Sequence, residues 1–164
     1  MRMIAIIGNI ASGKSTVSKL LSEQLPDYVY LSIDEFRVRF RSSTKRGEAN
    51  AWQAIMIAVF KNDNIIFESS GTSLHYDEIV SGFKKRGGKV TVIKLECPIH
   101  ESMLRRRLQL KNGYVPPPFC YSTNLPTSVS FIHTKLTEIK SDLTYNSMEA
   151  NATEICIAIV DKIG

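Results

Sequence analysis

Between Gly8 and Thr16 the chain reads GNIASGKST, two glycines with four residues between them, then a lysine and two hydroxyls. The spacing fits G-x-x-x-x-G-K-[ST], a backbone nest for phosphate. Glycines at Gly8 and Gly13 let the chain wrap tightly enough for consecutive N–H groups to point inward at anionic oxygens. A helix starting at Lys14 would offer its positive end to the same anion. Asn9, Ala11, Ser12 and Thr16 complete the loop. Lys14 is placed to reach the outer phosphates, and the Ser15 hydroxyl to ligate Mg²⁺. The pattern implies a nucleoside triphosphate with its metal.

Three further stretches carry chemistry. In LSIDEFR, residues 31–37, Asp34 falls just past a predicted strand. A carboxylate there can take the proton of an acceptor hydroxyl during phosphoryl transfer. Arg37, one helical turn on, can hold a substrate phosphate bidentately. The plainer use of the pair is Asp34 as a helix N-cap with Arg37 solvated. In RRRLQLK, residues 105–111, Leu104 and Leu108 supply a predicted apolar seam, so that Arg105, Arg106, Arg107 and Lys111 fan outward as a lid over developing negative charge. An ordinary basic helix face is the alternative for any one of these arginines. In IIFESSGTS, Glu68 ends a strand where it can meet metal-bound water or substrate, with Ser69, Ser70 and Thr72 as further contacts. Thr72 or Ser73 as a helix cap explains part of that cluster. His75, His100 and His133 have no metal-ligand spacing, and Cys97, Cys120 and Cys156 form no CxxC pair.

What positions these groups is an alternation of short β-rich runs with helical periodicity. Strands are predicted at Met3–Ile7, Tyr28–Ser32, Asn64–Glu68, Lys89–Leu95 and Leu143–Asn146. Helical faces come from Val17, Leu20, Leu21 and Leu25, closed by Pro26; from Trp52, Ile55, Met56 and Val59; and from Tyr76, Ile79, Val80 and Phe83, stopped at Gly87. A helix opens at Pro98 and ends at Asn112–Gly113. After a Pro-rich loop, Val129, Ile132, Leu136 and Ile139 mark another, and 155–163 a last one. A parallel sheet covered on both faces binds ligands beyond the carboxyl ends of its strands, where each of these motifs falls.

At 164 residues one domain spanning 1–164 is expected, with 43% hydrophobic and 23% charged residues. No run approaches a membrane span, and the N-terminal apolar run is too short for a signal-peptide core, so a cytoplasmic protein is expected. The net charge of +5 favours a polyanionic partner, nucleotide or nucleic acid.

GNIASGKST, SIDEFR and the arginine-rich segment together resemble the P-loop kinase superfamily, and within it the polynucleotide kinase-like group. The resemblance covers most of the chain and implies an α/β three-layer sandwich, a five-stranded parallel sheet of order 2-3-1-4-5, with ATP and Mg²⁺ as donor and cofactor. It implies Asp34 as general base and Arg37 as a contact to nucleic acid. Where those kinases carry an aspartate after the third strand, this chain has Glu68-Ser69-Ser70. The stretch from VPPPF to SDLTYNSMEAN is similar to small phage kinases that phosphorylate hydroxymethyluracil bases within DNA, and by that likeness TYNSMEAN borders the adenine ring. The expected activity is γ-phosphoryl transfer from ATP to a hydroxyl on nucleic acid, DNA rather than RNA. A kinase for a nucleoside, nucleotide or other small metabolite, and an ATP-binding regulatory module, are the competing classes.

Overall fold

Alternation along the first strand sets the architecture. In β1 (Arg2–Gly8) every residue after Arg2 is buried, yet Met3, Ala5 and Ile7 face one apolar cluster and Ile4 and Ile6 face another. A strand buried on both sides belongs at the centre of a parallel sheet. The computed structural model, which describes residues 1–163, places it there: five parallel strands in the order β2-β3-β1-β4-β5. The others are β2 (Val29–Ser32), β3 (Asn64–Glu68), β4 (Lys89–Glu96) and β5 (Leu143–Asn146), close to the predicted runs.

One face is covered by α3 (Lys45–Lys61), α4 (Leu74–Lys85) and α6 (Leu125–Glu138), whose Trp52, Ile55, Tyr76, Phe83 and Leu136 pack on Met3, Ile65 and Phe67. The other is covered by α1 (Lys14–Gln24) and α7 (Ala152–Ile163), through Val17, Leu21, Ile155 and Ile159 against Ile4, Ile66 and Ile93. Each fully buried aliphatic or aromatic side chain stabilises by roughly 1.5–3 kcal/mol. Local chemistry sets the helix starts. Thr44 accepts from the Gly47 amide at 3.0 Å, Ser73 rather than Thr72 accepts from His75, and Asn124 accepts from Thr127. No described helix is long and apolar enough to cross a membrane.

The predicted seam of α5 (Ile99–Lys111) is inverted. Leu104 and Leu108 are 51% and 50% exposed, Ser102 is fully buried, and Arg105 and Arg106 are half-buried. The reason is position. This helix packs chiefly on α6, and its inward stripe meets polar groups, Arg105 bonding to Ser147 in the turn after β5.

Candidate active site

The phosphate-loop pattern joins the end of β1 to the start of α1. At Gly8 a Cβ would lie 2.7 Å from both the Leu95 carbonyl and the Ser12 hydroxyl, so only glycine lets the backbone pass. Ala11 and Gly13 both take left-handed conformations, φ 54° and 97°, which turn the loop back on itself. Gly13 is the N-cap of α1, and neither a side-chain cap nor a first-turn acid competes for that positive end. The Asn9 side-chain amide donates to the Val129 carbonyl of α6 at 2.9 Å, anchoring the loop to the opposite layer.

Lys14 lies in this cradle and donates to the Asn9 carbonyl at 2.6 Å. Burial pushes its ammonium below the ordinary lysine pKa. The nearby Glu68 and Asp34 carboxylates oppose that shift, and the Arg106 guanidinium adds to it. Asp34, Glu68 and Arg106 therefore share one electrostatic neighbourhood with Lys14.

Sheet register explains Glu68. It pairs with Ile6 of β1 on one side and Ser32 of β2 on the other. Two residues beyond Ile66, it points to the same face, toward α1. There Oε1 accepts from the Ser15 hydroxyl at 2.7 Å, and Oε2 from the Tyr30 hydroxyl in a short bond. Glu68 is 2% exposed. Burial, then the adjacent carboxylate, raises the Tyr30 phenol well above its usual value, so Tyr30 stays the donor.

Asp34 sits in the first turn of α2 (Ile33–Phe40), whose N-cap position belongs to Ser32. Asp34 is therefore not the cap of α2, and its carboxylate, 48% exposed, meets Arg37 Nη1 at 3.1 Å. Arg37 is engaged rather than solvated. Its Nε and Nη2 grip Glu48, the shortest contact 2.7 Å, and its guanidinium lies 4.3 Å from the Phe119 ring centroid. Every polar edge used here faces a carboxylate, so in this arrangement Arg37 orients Asp34. The Ser70 hydroxyl shares a 2.9 Å bond with Thr72 in the turn before α4.

The three arginines of α5 separate cleanly. Arg105 is spent on structure, with Nε to Glu101 at 2.7 Å and its Nη atoms to Ser147 and Met148 in the turn after β5. Arg107 is exposed. Arg106 stacks over Tyr114 at 4.6 Å and keeps a buried Nη1 without a hydrogen-bond partner. A buried, unpaired guanidinium nitrogen beside Lys14 suits an incoming anion.

No protein-family model matches the sequence, and no curated protein matches it. Solved structures match in shape. Shikimate kinase from Acinetobacter baumannii, in complex with shikimate, gives a TM-score of 0.68 at 16% identity, over 98% of this chain and 92% of that one. The Mycobacterium tuberculosis APS kinase CysC, in complex with AMPPNP and APS, gives 0.64 at 14% identity, over 98% and 95%. A chain of the Pnkp1/Rnl/Hen1 RNA repair complex gives 0.65 at 15% identity, over 85% of this chain and 46% of that one. The chain shares the fold of these kinases.

On that fold, three contributors to the site escaped the sequence reading: Tyr30, Glu48 and Phe119. Glu48 had a readable signal. It continues the stripe of Trp52, Ile55 and Val59 one turn toward the N-terminus. An acid on a buried stripe requires a cation, and Arg37 supplies it, with Trp52 Nε1 donating at 2.8 Å. Tyr30 and Phe119 carried no local signal, because their partners lie 38 and 82 residues away in the chain.

Proposed function

We propose that this chain is a kinase that transfers the γ-phosphoryl group of ATP to a hydroxyl carried on nucleic acid, either a polynucleotide 5′ end or a hydroxymethylpyrimidine base in DNA. The carrying observation is the glycine-lined cradle at the start of α1, with Lys14 folded into it and Ser15 bonded to the Glu68 carboxylate at 2.7 Å. The cradle that a Cβ at Gly8 would fill, the uncapped α1 terminus and the unpaired Arg106 nitrogen fit a triphosphate. The Ser15 hydroxyl with the Glu68 carboxylate behind it fits Mg²⁺, a hard cation that keeps water ligands. Mg²⁺ when bound neutralises charge on the donor phosphates.

The chain's own groups then divide the work. Asp34 accepts the acceptor's proton as its oxygen bonds to the γ-phosphorus and the bond to the ADP oxygen breaks. Lys14 and the α1 amides hold the donor phosphates, and Arg106 meets charge on the transferred group. Arg37 and Glu48 hold Asp34 in place.

Support for a nucleic-acid acceptor comes from the basic charge and from the likeness to a chain of an RNA repair complex. The second reading, a small-metabolite kinase, is favoured by the more extensive likeness to kinases solved with shikimate and APS, over 98% of this chain against 85% for the chain of the RNA repair complex. The test is γ-labelled ATP offered with 5′-hydroxyl oligonucleotides, hydroxymethyluracil duplex, and pooled free nucleosides and metabolites. Label is expected in a polynucleotide pool. Label confined to the small molecules would remove the nucleic-acid reading.

Tyr30 gives a separate expectation. Tyr30→Phe removes one of two bonds that aim Glu68 at Ser15. The Mg²⁺ concentration for half-maximal activity should rise about 10-fold, the usual scale for an outer-shell partner. A magnesium titration at saturating ATP measures it, and an unchanged midpoint would mean that Glu68 is held by other groups.

A further inference from the structure

Basic residues cluster in three stretches of this chain, 36–50, 84–94 and 105–111. The first holds Arg37, Arg39, Arg41, Lys45 and Arg46 against a single acid, Glu48, and of the three it is the one that adjoins Asp34 in the chain. This segment is the corner where α2 meets α3, directly beyond Asp34. Arg37 and Glu48 neutralise each other inside it. Arg39, Arg41, Lys45 and Arg46 are exposed, and among the described residues none of the four forms an ion pair.

Arg39, in the last turn of α2 over the Phe40 ring, and Arg41 at its C-cap suit the dipole of that helix, but Lys45 and Arg46 do not serve theirs. Lys45 and Arg46 occupy the first turn of α3, where positive charge opposes the helix dipole. The corner is fixed by other means. The Thr44 cap closes it, Ser42 is buried with its amide on the Arg37 carbonyl, and Gly47 packs so tightly that a Cβ would lie 2.5 Å from the Arg41 carbonyl. Four exposed cations without an acidic partner on a rigid corner, two of them against helix preference, point to an anion outside the chain.

We propose that the α2–α3 corner, through Arg39, Arg41, Lys45 and Arg46, is the track for the phosphate backbone of the acceptor strand. This rests on the nucleic-acid reading above and assigns it a surface. Arg37 is committed to Glu48 and Asp34, so phosphate contacts near the acceptor hydroxyl fall to its neighbours. At 1.5 Å per residue along α2, Arg39 and Arg41 lie about 8–10 Å beyond Asp34. That is roughly the rise of two or three nucleotides of duplex. A strand with its hydroxyl at Asp34 reaches the corner, and a lone nucleoside does not.

The test replaces all four cations with glutamine (Arg39→Gln, Arg41→Gln, Lys45→Gln, Arg46→Gln) in the full chain. A control, Lys84→Gln with Lys85→Gln, removes exposed cations from the far end of α4. Binding of a fluorescent 5′-hydroxyl oligonucleotide is followed by anisotropy over a salt series, with AMPPNP affinity confirming an intact donor site. The corner variant should bind the oligonucleotide at least 10-fold more weakly. Its log–log salt slope should be shallower by about 0.7 for each phosphate that the variant no longer neutralises. The control and AMPPNP affinity should match the unaltered chain. Equal losses in both variants, or unchanged slope and affinity in the corner variant, would overturn the track. If the unaltered chain binds no oligonucleotide and labels only small acceptors, the nucleic-acid reading itself falls. If it binds and labels oligonucleotides with the corner neutralised, only the track falls.

Discussion

Asp34→Asn should lower kcat by about 10²–10⁴-fold, the range for a lost general base, while ATP-analogue affinity stays within a few-fold of the original. The substitution is nearly isosteric, and its amide oxygen can still accept from Arg37 Nη1, now 3.1 Å from the carboxylate. The turn of α2 is kept and only the basic oxygen is lost. Glu68 is buried against Ser15 and Tyr30, and Glu48 is taken by Arg37 and Trp52. Single-turnover transfer measured beside equilibrium donor binding separates the two effects. Transfer to every acceptor at the original rate would remove Asp34 from the chemistry.

Arg106→Ala should cost kcat about 10³-fold, the lower end for an arginine that meets a transferring phosphoryl group. Arg107→Ala should be close to unaltered. The contrast follows from geometry: Arg107 is exposed, whereas Arg106 has a buried, unpartnered Nη1 and a charge felt at Lys14. Arg106→Lys keeps the charge but loses the planar fork and the stacking on Tyr114, so it should restore only part of the rate. A kcat and KM comparison of the three variants decides it. Equal rates for Arg106→Ala and Arg107→Ala would assign charge stabilisation elsewhere.

Sequence patterning reached some of this architecture and missed the rest for a definable reason. The phosphate loop was legible because its requirements are local: glycines where a Cβ would collide, and a lysine and serine opening a helix. The strands were legible because a fully buried parallel strand is a continuous apolar run. The seam of α5 misled, since Leu104 and Leu108 have the spacing of a core face but lie exposed on a helix that packs chiefly on α6. Periodicity reports which residues share a side, and not which side is inward. The Arg37–Glu48 pair joins two consecutive helices and the Tyr30–Glu68 bond two neighbouring strands, pairings that the periodicity of a single element does not register.

The bond from Asn9 to the Val129 carbonyl has a thermodynamic consequence. Val129 lies early in α6, the helix that immediately follows the 112–124 segment bearing Phe119. A shift of that segment that moved α6 would reach, through this bond, the loop proposed to hold the donor. Any factor by which donor occupancy favours one placement of the segment must, by reciprocity, be the factor by which that placement tightens the donor. On the proposed function, an acceptor that settles this segment would not be an independent guest: filling one seat would alter the affinity of the other.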